Sequence, residues 1–336
     1  MLRRLVIALA LAWTGAAPAA AEQAQTITHD HLAVAGSSVS IPVSTIAGAA
    51  QGPTLALIAG THGYEYAPII ALHRILKRPE LRLLRGTLVM VHVANPSSFY
   101  RRTIYYNPTD GINLNRAYPG DPAGTESQRI ANAITTQVIE KADYLIDLHA
   151  GDGNEDLRPF TYLPEIGDQD LDRRSRGLAI AFGLDHIVID RASAPDPLAS
   201  RFTDHTALSR GIPAITTETG GLGSTEEHWV SMAEMGIMNV MRHLDMLPGD
   251  AVLRDDIVWL EDYQVVTSPG RGLFRPEVRS GYAIAENGRL GVLVDEFGAE
   301  LSVVRAPFAG IVNYVVATPP VSTGEPVAMI SRIATE

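Results

Sequence analysis

The stretch from Gly60 to Pro68, GTHGYEYAP, places a histidine and a carboxylate three residues apart. It follows an apolar run at Thr54–Ala59 that has the length and composition of a buried strand. On a loop that leaves a strand, His62 and Glu65 can direct an imidazole nitrogen and a carboxylate oxygen at one cation. Of the ten histidines, only His62 has a glutamate three positions later. We therefore interpret this pair as the first half of a metal site.

A third ligand is expected at the end of another apolar run, where His149 follows Tyr144–Leu148. Ligands of open α/β sheets lie outside the carboxyl ends of the strands, so polar residues at these ends are candidates for one shared site. A histidine there can also be a structural residue, and its combination with His62 and Glu65 is what favours a ligand. Two imidazoles and one carboxylate leave a coordination position open for water, which is typical of a catalytic zinc. The sequence thus predicts one Zn²⁺ per chain.

Glu218 ends the apolar run that begins at Pro213 and is followed by Thr-Gly-Gly. Hydrolysis at zinc needs a base near the activated water, and a carboxylate outside the ligand set can serve as that base. It would also return the proton to the leaving amine. A helix-capping or surface glutamate is the competing interpretation, and this residue alone does not decide between them.

The segment from Asn95 to Gly120 contains three arginines, Arg101, Arg102 and Arg116. A guanidinium group can bind a carboxylate through two hydrogen bonds or polarise a carbonyl. Surface arginines without such a role are commoner. Charge alone therefore assigns no function to this segment.

Between Glu22 and Gly249, apolar runs alternate with segments of helical period. A capping box starts at Thr125, and a long amphipathic helix is predicted within Thr225–Leu247. Such alternation predicts an α/β fold whose sheet is covered by helices on both faces. The predicted strands lie near Thr54–Ala59, Thr87–Ala94, Tyr144–Leu148, His186–Asp190 and Ala214–Glu218.

From residue 250 to 336 the chain changes to short β-type runs broken by glycine, which predicts a separate small all-β domain. Its segments Pro307–Val312 and Val321–Ile330 resemble the barrel-sandwich fold of biotinyl and lipoyl carrier domains. Such carriers need a modified lysine, and the only lysines are Lys77 and Lys141. We therefore expect a structural role, at the mouth of the site in the first domain.

The first 21 residues have the pattern of a secretory signal peptide. Arg3 and Arg4 precede an apolar core at Leu5–Trp13 and a tail of small residues, which predicts cleavage before Glu22. The alternative is a membrane anchor, but this core is too short to span a bilayer. A periplasmic or secreted protein, not inserted in the membrane after cleavage, is expected.

The composition excludes several classes of partner and site. The formal net charge is −11, or about −13 without the signal peptide, and this acidity disfavours nucleic acids and anionic membranes as partners. The chain has no cysteine, which rules out thiolate metal sites, disulfides and cysteine nucleophiles. The sequence does not indicate an oligomeric state.

Taken together, the motifs resemble the succinylglutamate desuccinylase and aspartoacylase family, relatives of the zinc carboxypeptidases. The resemblance spans about residues 53–221, and the C-terminal β domain suits this family's architecture. Several motifs in one order are far more specific than any one of them. They are GTHGYE at 60–65, Asn95-Pro96, Arg101-Arg102, GINLNR at 111–116 with Pro119-Gly120, Asp147-Leu148-His149, and TETGG at 217–221.

The resemblance implies a zinc-carboxypeptidase-like mixed sheet flanked by helices. It also implies that zinc is bound by His62, Glu65 and His149. Glu218 matches the general base of the family.

The resemblance further implies that Asn115 and Arg116 hold a carboxylate of the substrate. An arginine shortly upstream polarises the scissile carbonyl in the family. We assign this role to Arg102, with Arg101 as the competing residue.

Two positions depart from the family's pattern. Many relatives have an aspartate at the position of Asn113, where it orients a zinc-binding histidine; the asparagine can accept the same hydrogen bond but lacks the charge. The spacing between Arg102 and Asn115 is also longer than in aspartoacylase and closer to a carboxypeptidase-like arrangement. The identity of the substrate therefore does not follow from either enzyme.

The function expected from the sequence is zinc-dependent hydrolysis of small N-acyl amino acids or related amides that carry a carboxylate. A periplasmic metallocarboxypeptidase acting on peptides or cell-wall fragments would use the same groups. A non-haem iron oxygenase also uses two histidines and a carboxylate, although Glu218 and the export signal count against it. A binding protein with a relict site would need a ligand or Glu218 to be replaced, and none is.

Overall fold

The computed structural model describes residues 24–191 and 195–335. The predicted signal peptide, residues 1–21, lies outside them. The helices are α1 Tyr66–Ile75, α2 Pro96–Arg101, α3 Glu126–Gln137, α4 Gln169–Phe182, α5 Thr203–Leu208 and α6 Glu227–His243. The first nine strands are β1 Thr26–Ala33, β2 Ser40–Ala47, β3 Ala50–Ala59, β4 Arg85–Val91, β5 Tyr144–His149, β6 Glu155–Leu157, β7 Phe160–Glu165, β8 His186–Arg191 and β9 Ala214–Glu218. The others are β10 Val258–Thr267, β11 Gly272–Pro276, β12 Ala283–Ile284, β13 Arg289–Val294, β14 Glu300–Arg305, β15 Gly310–Val316, β16 Pro320–Val321 and β17 Pro326–Ile333.

A large mixed sheet forms the centre of the molecule, in the order β1-β2-β4-β3-β5-β9-β7-β8-β10-β17-β15-β12, with β6 paired to β15. The strands β4, β3, β5 and β9 are parallel neighbours. Strands β1 and β2 extend this parallel block by antiparallel pairing. The predicted α/β class with a mixed sheet and C-terminal β structure is therefore confirmed.

Helices cover both faces of the sheet, and strand β3 shows why its sequence is continuously apolar. Leu55 and Leu57 point into a core formed with α1, α4 and α6. Ala56 and Ile58 point into a second core formed with α3 and α5. A strand buried on both faces has no polar side to expose, so apolar residues fill every position.

The helix boundaries follow local signals in the sequence. At the start of α3, the backbone N–H of Thr125 donates to Gln128 Oε1 at 2.9 Å, as the predicted capping box requires. The helix α6 lies within the predicted span Thr225–Leu247. No helix in the described ranges combines the length and hydropathy needed to cross a bilayer.

The C-terminal strands continue the central sheet and add a second one. Strand β10 pairs in parallel with β8 over Val258–Leu260 and in antiparallel with β17. Strands β14, β13, β11 and β16 form a separate antiparallel sheet. Phe274, Leu293 and Val327 belong to a core of their own in this part of the chain. The central sheet thus contains strands from both sides of residue 250. The domain boundary predicted at that residue stays a prediction.

Candidate metal centre and its cavity

Three side chains from distant parts of the sequence converge at the carboxyl ends of β3 and β5. His62 Nδ1 and His149 Nδ1 each lie 2.7 Å from Glu65 Oε1. One ligand atom from each residue lies within 4.8 Å of the others. We call His62, Glu65 and His149 the metal cluster.

The sheet and two glycines place this cluster. Strands β3 and β5 are parallel neighbours, so the loop after β3 meets His149 at one edge of the sheet. Gly60 turns the chain out of β3 with φ at +70°, a conformation that favours glycine. At Gly63 a Cβ atom would lie 2.4 Å from the carbonyl oxygen of Thr103, so only glycine lets the two backbones approach.

The hydrogen bonds behind the two imidazoles test whether the cluster suits a metal ion. His62 Nε2 lies 3.1 Å from Asn113 Oδ1, and His149 Nε2 lies 2.9 Å from Asp147 Oδ2. These acceptors favour a proton on Nε2, which turns the lone pair of each Nδ1 toward the carboxylate of Glu65. Lone pairs at 2.7 Å repel unless a proton or a metal cation lies between them. The donor set fits a divalent cation such as Zn²⁺.

The local charges favour a cation at the same place. Burial would lower the pKa of His149, but Asp147 and Glu65 raise this pKa well above its ordinary value. Burial likewise opposes the charged form of His62, and Glu65 raises its pKa. The two imidazoles hold the pKa of Glu65 far below its ordinary value, against the effect of burial. A bound metal would therefore compete with protons for the imidazoles.

Glu218 lies beside the metal cluster. It is the last residue of β9, where it pairs with His149 on the neighbouring parallel strand. Its Oε2 atom is buried and has no hydrogen-bond partner among the described residues. Burial raises the pKa of Glu218 well above its ordinary value, only partly opposed by His149. A carboxylate with a raised pKa and a free oxygen can act as a proton acceptor for water.

The cluster opens into a cavity of about 890 Å³. Its wall includes residues of the C-terminal strands, Val265 and Tyr314, and the turn at 322–326. The C-terminal β structure was expected at the mouth of the site, and its residues indeed form part of the cavity wall. A cavity of this size suits a small molecule.

Arg116 and Asn115 also line the cavity. The Arg116 guanidinium lies 4.6 Å from the centre of the Phe202 ring and donates to the carbonyl oxygen of Asn115 at 2.6 Å. The Asn115 side-chain oxygen accepts hydrogen bonds from the N–H and the hydroxyl of Thr203, at 3.0 and 3.1 Å. These bonds turn the Asn115 amide nitrogen toward His149 Nε2, 3.3 Å away. Arg116 thus offers a positive charge to the cavity in a fixed position.

Comparison with known proteins identifies the family. Residues 51–244 match the succinylglutamate desuccinylase/aspartoacylase catalytic domain. The chain belongs to this family. The predicted resemblance is therefore confirmed.

Known relatives agree with this assignment. The N-alpha-acetyl-L-2,4-diaminobutyric acid deacetylase of Halomonas elongata is 32% identical over 222 residues, which cover 65% of this chain but only 62% of that enzyme. A succinylglutamate desuccinylase/aspartoacylase structure from Rhodobacter sphaeroides superposes with a TM-score of 0.80 at 25% identity, covering 93% of this chain and 96% of that one. The product-bound ectoine utilization protein EutE (DoeB) of Ruegeria pomeroyi has a TM-score of 0.80 at 27% identity, covering 91% and 95%.

The two other arginines predicted from the family motifs lie elsewhere. Arg101 is the last residue of α2, and Arg102 follows it with φ at 53°. Both side chains are exposed, and neither belongs to the described wall of the cavity. The structure therefore does not bring Arg102 to the metal cluster, and its role at the scissile carbonyl stays a prediction.

The sequence analysis missed a tyrosine and two acidic residues beside the metal cluster. The Tyr105 hydroxyl donates to Glu155 Oε1 at 2.8 Å, and its ring lies edge-on to His62 with centroids 6.1 Å apart. Burial raises the pKa of Glu155 to about 7 and that of Asp152 to about 6. A signal was present, because Asp152 follows His149 with the spacing that singled out His62 and Glu65.

A second missed group also lines the cavity and contains Asp190, Asp204 and His205. Asp204 accepts hydrogen bonds from His205 Nδ1 and from the Thr216 hydroxyl, each at 2.9 Å. Asp190 lies near the carboxyl end of β8, but β8 is parallel to β7, which runs antiparallel to β9. The carboxyl end of β8 therefore lies at the other edge of the sheet from His149, and the strand-end rule could not have found Asp190.

Proposed function

We propose that this chain is a zinc-dependent amidohydrolase that removes the acyl group from small N-acyl amino acids in the periplasm. The observation that carries the proposal is the convergence of His62, Glu65 and His149, with Glu218 on the adjacent strand. The location rests on the N-terminal sequence pattern alone. The relative from Halomonas elongata, which is named a deacetylase of an acetylated diamino acid, supports the reaction class.

The residues of the chain divide the chemistry among them. When bound, a zinc ion acts as a Lewis acid and lowers the pKa of water. Glu218 accepts the proton of the attacking water and returns it to the leaving amine. Arg116 binds the substrate carboxylate, which fixes the scissile amide in one place. The backbone carbonyl oxygen of Asn115 accepts a hydrogen bond from the Arg116 guanidinium and so orients it.

A metallocarboxypeptidase would use the same groups on longer substrates. The turn at 322–326 forms part of the cavity wall together with Tyr314. The relative from Halomonas elongata, which is named a deacetylase of an N-acetylated amino acid, favours small N-acyl amino acids over peptides.

The proposal is tested with the mature protein loaded with zinc and a panel of N-acetyl amino acids beside short peptides. We expect hydrolysis of the former and a loss of turnover of about 10²–10⁴-fold in Glu218→Gln, which removes the base. Metal analysis should still find one zinc per chain in this variant. Glu286→Gln, at an exposed position outside the cavity, is the matched control. Unchanged turnover in Glu218→Gln would remove this residue from the mechanism, and hydrolysis of peptides alone would favour the carboxypeptidase.

The arginines can be separated by kinetics. Arg116→Ala should lower kcat/KM by about 10–100-fold, because a charge-assisted hydrogen bond to the substrate carboxylate is lost. Since Arg102 lies outside the cavity wall, Arg102→Ala should have a smaller effect, with Arg101→Ala as its neighbouring control. A fall in kcat of about 10²-fold in Arg102→Ala would instead show that this residue stabilises the transition state.

A further inference from the structure

One role in the proposed reaction is not filled by the arginines of the chain. Hydrolysis of an amide places negative charge on the carbonyl oxygen, and a fixed hydrogen-bond donor beside this oxygen stabilises that charge. Arg101 and Arg102 are exposed and lie outside the described wall of the cavity. Arg116 is assigned to the substrate carboxylate. A donor that the protein supplies to the carbonyl oxygen is therefore another residue of the wall.

Tyr105 lies where such a donor is needed. It lines the cavity and follows Arg102 by three residues on the same loop. Its ring packs edge-on against His62, with the ring centroids 6.1 Å apart. The base, Glu218, pairs with His149 on the neighbouring strand. The tyrosine and the base therefore flank the metal cluster at two different ligands.

Both the backbone and the hydroxyl of Tyr105 are held in place. Its backbone N–H donates to Asp152 Oδ2 at 2.8 Å, and its hydroxyl donates to Glu155 Oε1 at 2.8 Å. The backbone N–H of Asp152 donates to Glu155 Oε2 at 2.9 Å, which fixes the two acids relative to each other. Tyr105 has φ at 58°, a conformation that residues other than glycine rarely adopt outside functional sites. These contacts preorganise the hydroxyl, as an effective transition-state donor requires.

We propose that the Tyr105 hydroxyl donates a hydrogen bond to the oxygen of the scissile carbonyl. This inference rests on the proposed function. As water adds to the carbonyl carbon and Glu218 takes its proton, the π electrons of the C=O bond move onto the oxygen. Rotation about the C–O bond of the phenol turns the hydroxyl proton from Glu155 to this oxygen, while the ring keeps its place.

The tyrosine keeps its proton throughout the reaction. When the C–N bond breaks, its electron pair leaves with the nitrogen, and Glu218 gives the proton to that nitrogen. The pair on the oxygen re-forms the C=O bond, and the Tyr105 hydroxyl returns to Glu155.

The test measures hydrolysis of N-acetyl amino acids by the zinc-loaded protein and its Tyr105→Phe variant. We expect kcat to fall by about 10²-fold and KM to change by less than about threefold, because the lost hydrogen bond forms in the transition state. Calorimetry should find that a phosphonamidate analogue, whose tetrahedral phosphorus resembles the hydrated carbonyl, binds more weakly by a similar factor. The product amino acid should bind as it does to the parent. Tyr100→Phe removes a hydroxyl at an exposed position outside the cavity and is the matched control.

Glu155→Gln distinguishes a direct contact with the substrate from an effect through Glu155. The glutamine oxygen still accepts the hydrogen bond that holds Tyr105, so kcat should fall by less than about tenfold in this variant. The double variant should resemble Tyr105→Phe. It also provides the test if Tyr105→Phe alone fails to fold, because it leaves no carboxylate without its hydrogen-bond donor.

The outcomes separate this inference from the function on which it rests. A kcat of the parent in Tyr105→Phe would overturn the inference, and so would an equal fall in Glu155→Gln, since the tyrosine would then act through Glu155. A stronger effect of Tyr314→Phe, at another tyrosine of the wall, would assign the donor there instead. All three results leave the amidohydrolase in place. If the zinc-loaded parent hydrolyses no N-acetyl amino acid, the proposed function is wrong and this inference with it.

Discussion

This protein contains two separate clusters of neighbouring histidines. The clusters differ in the side chain that links their imidazoles. In the metal cluster the connecting group is a carboxylate, Glu65. In the second group, Ser44 Oγ lies 2.8 Å from His29 Nδ1 and 2.7 Å from His92 Nε2. The ring of His73 lies 5.4 Å from that of His92. We call His29, Ser44, His73 and His92 the serine-linked cluster.

The histidine pKa values of the two clusters shift in opposite directions. In the metal cluster, carboxylates raise the pKa of His149 well above its ordinary value, despite burial. In the serine-linked cluster, burial lowers the pKa of His92 to about 4, with further lowering by His73 and His29. The carboxylates of the first cluster stabilise a positive charge, whereas the surroundings of the second disfavour a proton on His92. Nearby imidazoles are thus insufficient for a metal site, and a converging carboxylate is what distinguishes the two.

The largest effect should come from removing that carboxylate. Glu65→Gln keeps the shape of the side chain but loses the charge, so we expect zinc affinity to fall by more than about 100-fold, beyond the usual effect of outer-shell changes. Hydrolysis should be lost with the metal. Competition with a chelator measures the affinity. His92→Asn, which removes an imidazole from the serine-linked cluster, is the control and should still bind one zinc per chain. Equal zinc affinity in Glu65→Gln and the parent would contradict the assignment of the metal cluster.

A smaller effect on zinc affinity is expected from changing Asn113, the residue that faces the Nε2 atom of His62. Its Nε2 atom faces the neutral oxygen of Asn113 at 3.1 Å, whereas His149 faces the carboxylate of Asp147. Asn113→Asp should make His62 a more basic ligand and raise zinc affinity by up to about tenfold, and Asn113→Ala should lower it by about 10–100-fold. The same chelator competition compares the three proteins. If both variants bind zinc like the parent, Asn113 does not support the ligand.

The convergence of the metal cluster could be predicted from the sequence because a simple rule of sheet geometry applies there. His149 ends a buried strand, and His62 and Glu65 follow the neighbouring one, so parallel pairing brings them together. Asp190 does not follow this rule, because β8 is parallel to β7 and β7 runs antiparallel to β9. Its place in the cavity wall depends on this reversal of strand direction, which the sequence does not reveal.

The loop that carries the arginines could not be predicted in the same way. Its path depends on residues with positive φ, Arg102 at 53° and Tyr105 at 58°, neither of which is glycine. Local sequence gives no warning of such conformations. The resemblance to the family therefore predicted that Arg116 faces the site but could not predict that Arg102 lies outside the cavity wall. The C-terminal strands were predicted as β structure, while the continuity of β10 with the central sheet depends on contacts that periodicity does not reveal.

The smallest effect should appear in the pH dependence of stability, through the serine-linked cluster. The pKa of His92 is about 4 in the folded protein, below its ordinary value of 6.5. Protonation therefore favours the unfolded chain, so the stability due to neutral His92 is complete above pH 6.5 and is lost as the pH falls toward 4. His92→Gln cannot take up this proton, and its loss of stability over this range should be smaller by about 1 kcal/mol, because partial solvation of His92 reduces the effect of its pKa shift. Urea unfolding of both proteins, stripped of metal by a chelator, at the two ends of the range measures the difference, because the metal cluster titrates alike in both. Parallel pH curves for the two proteins would mean that His92 is not held neutral by its surroundings.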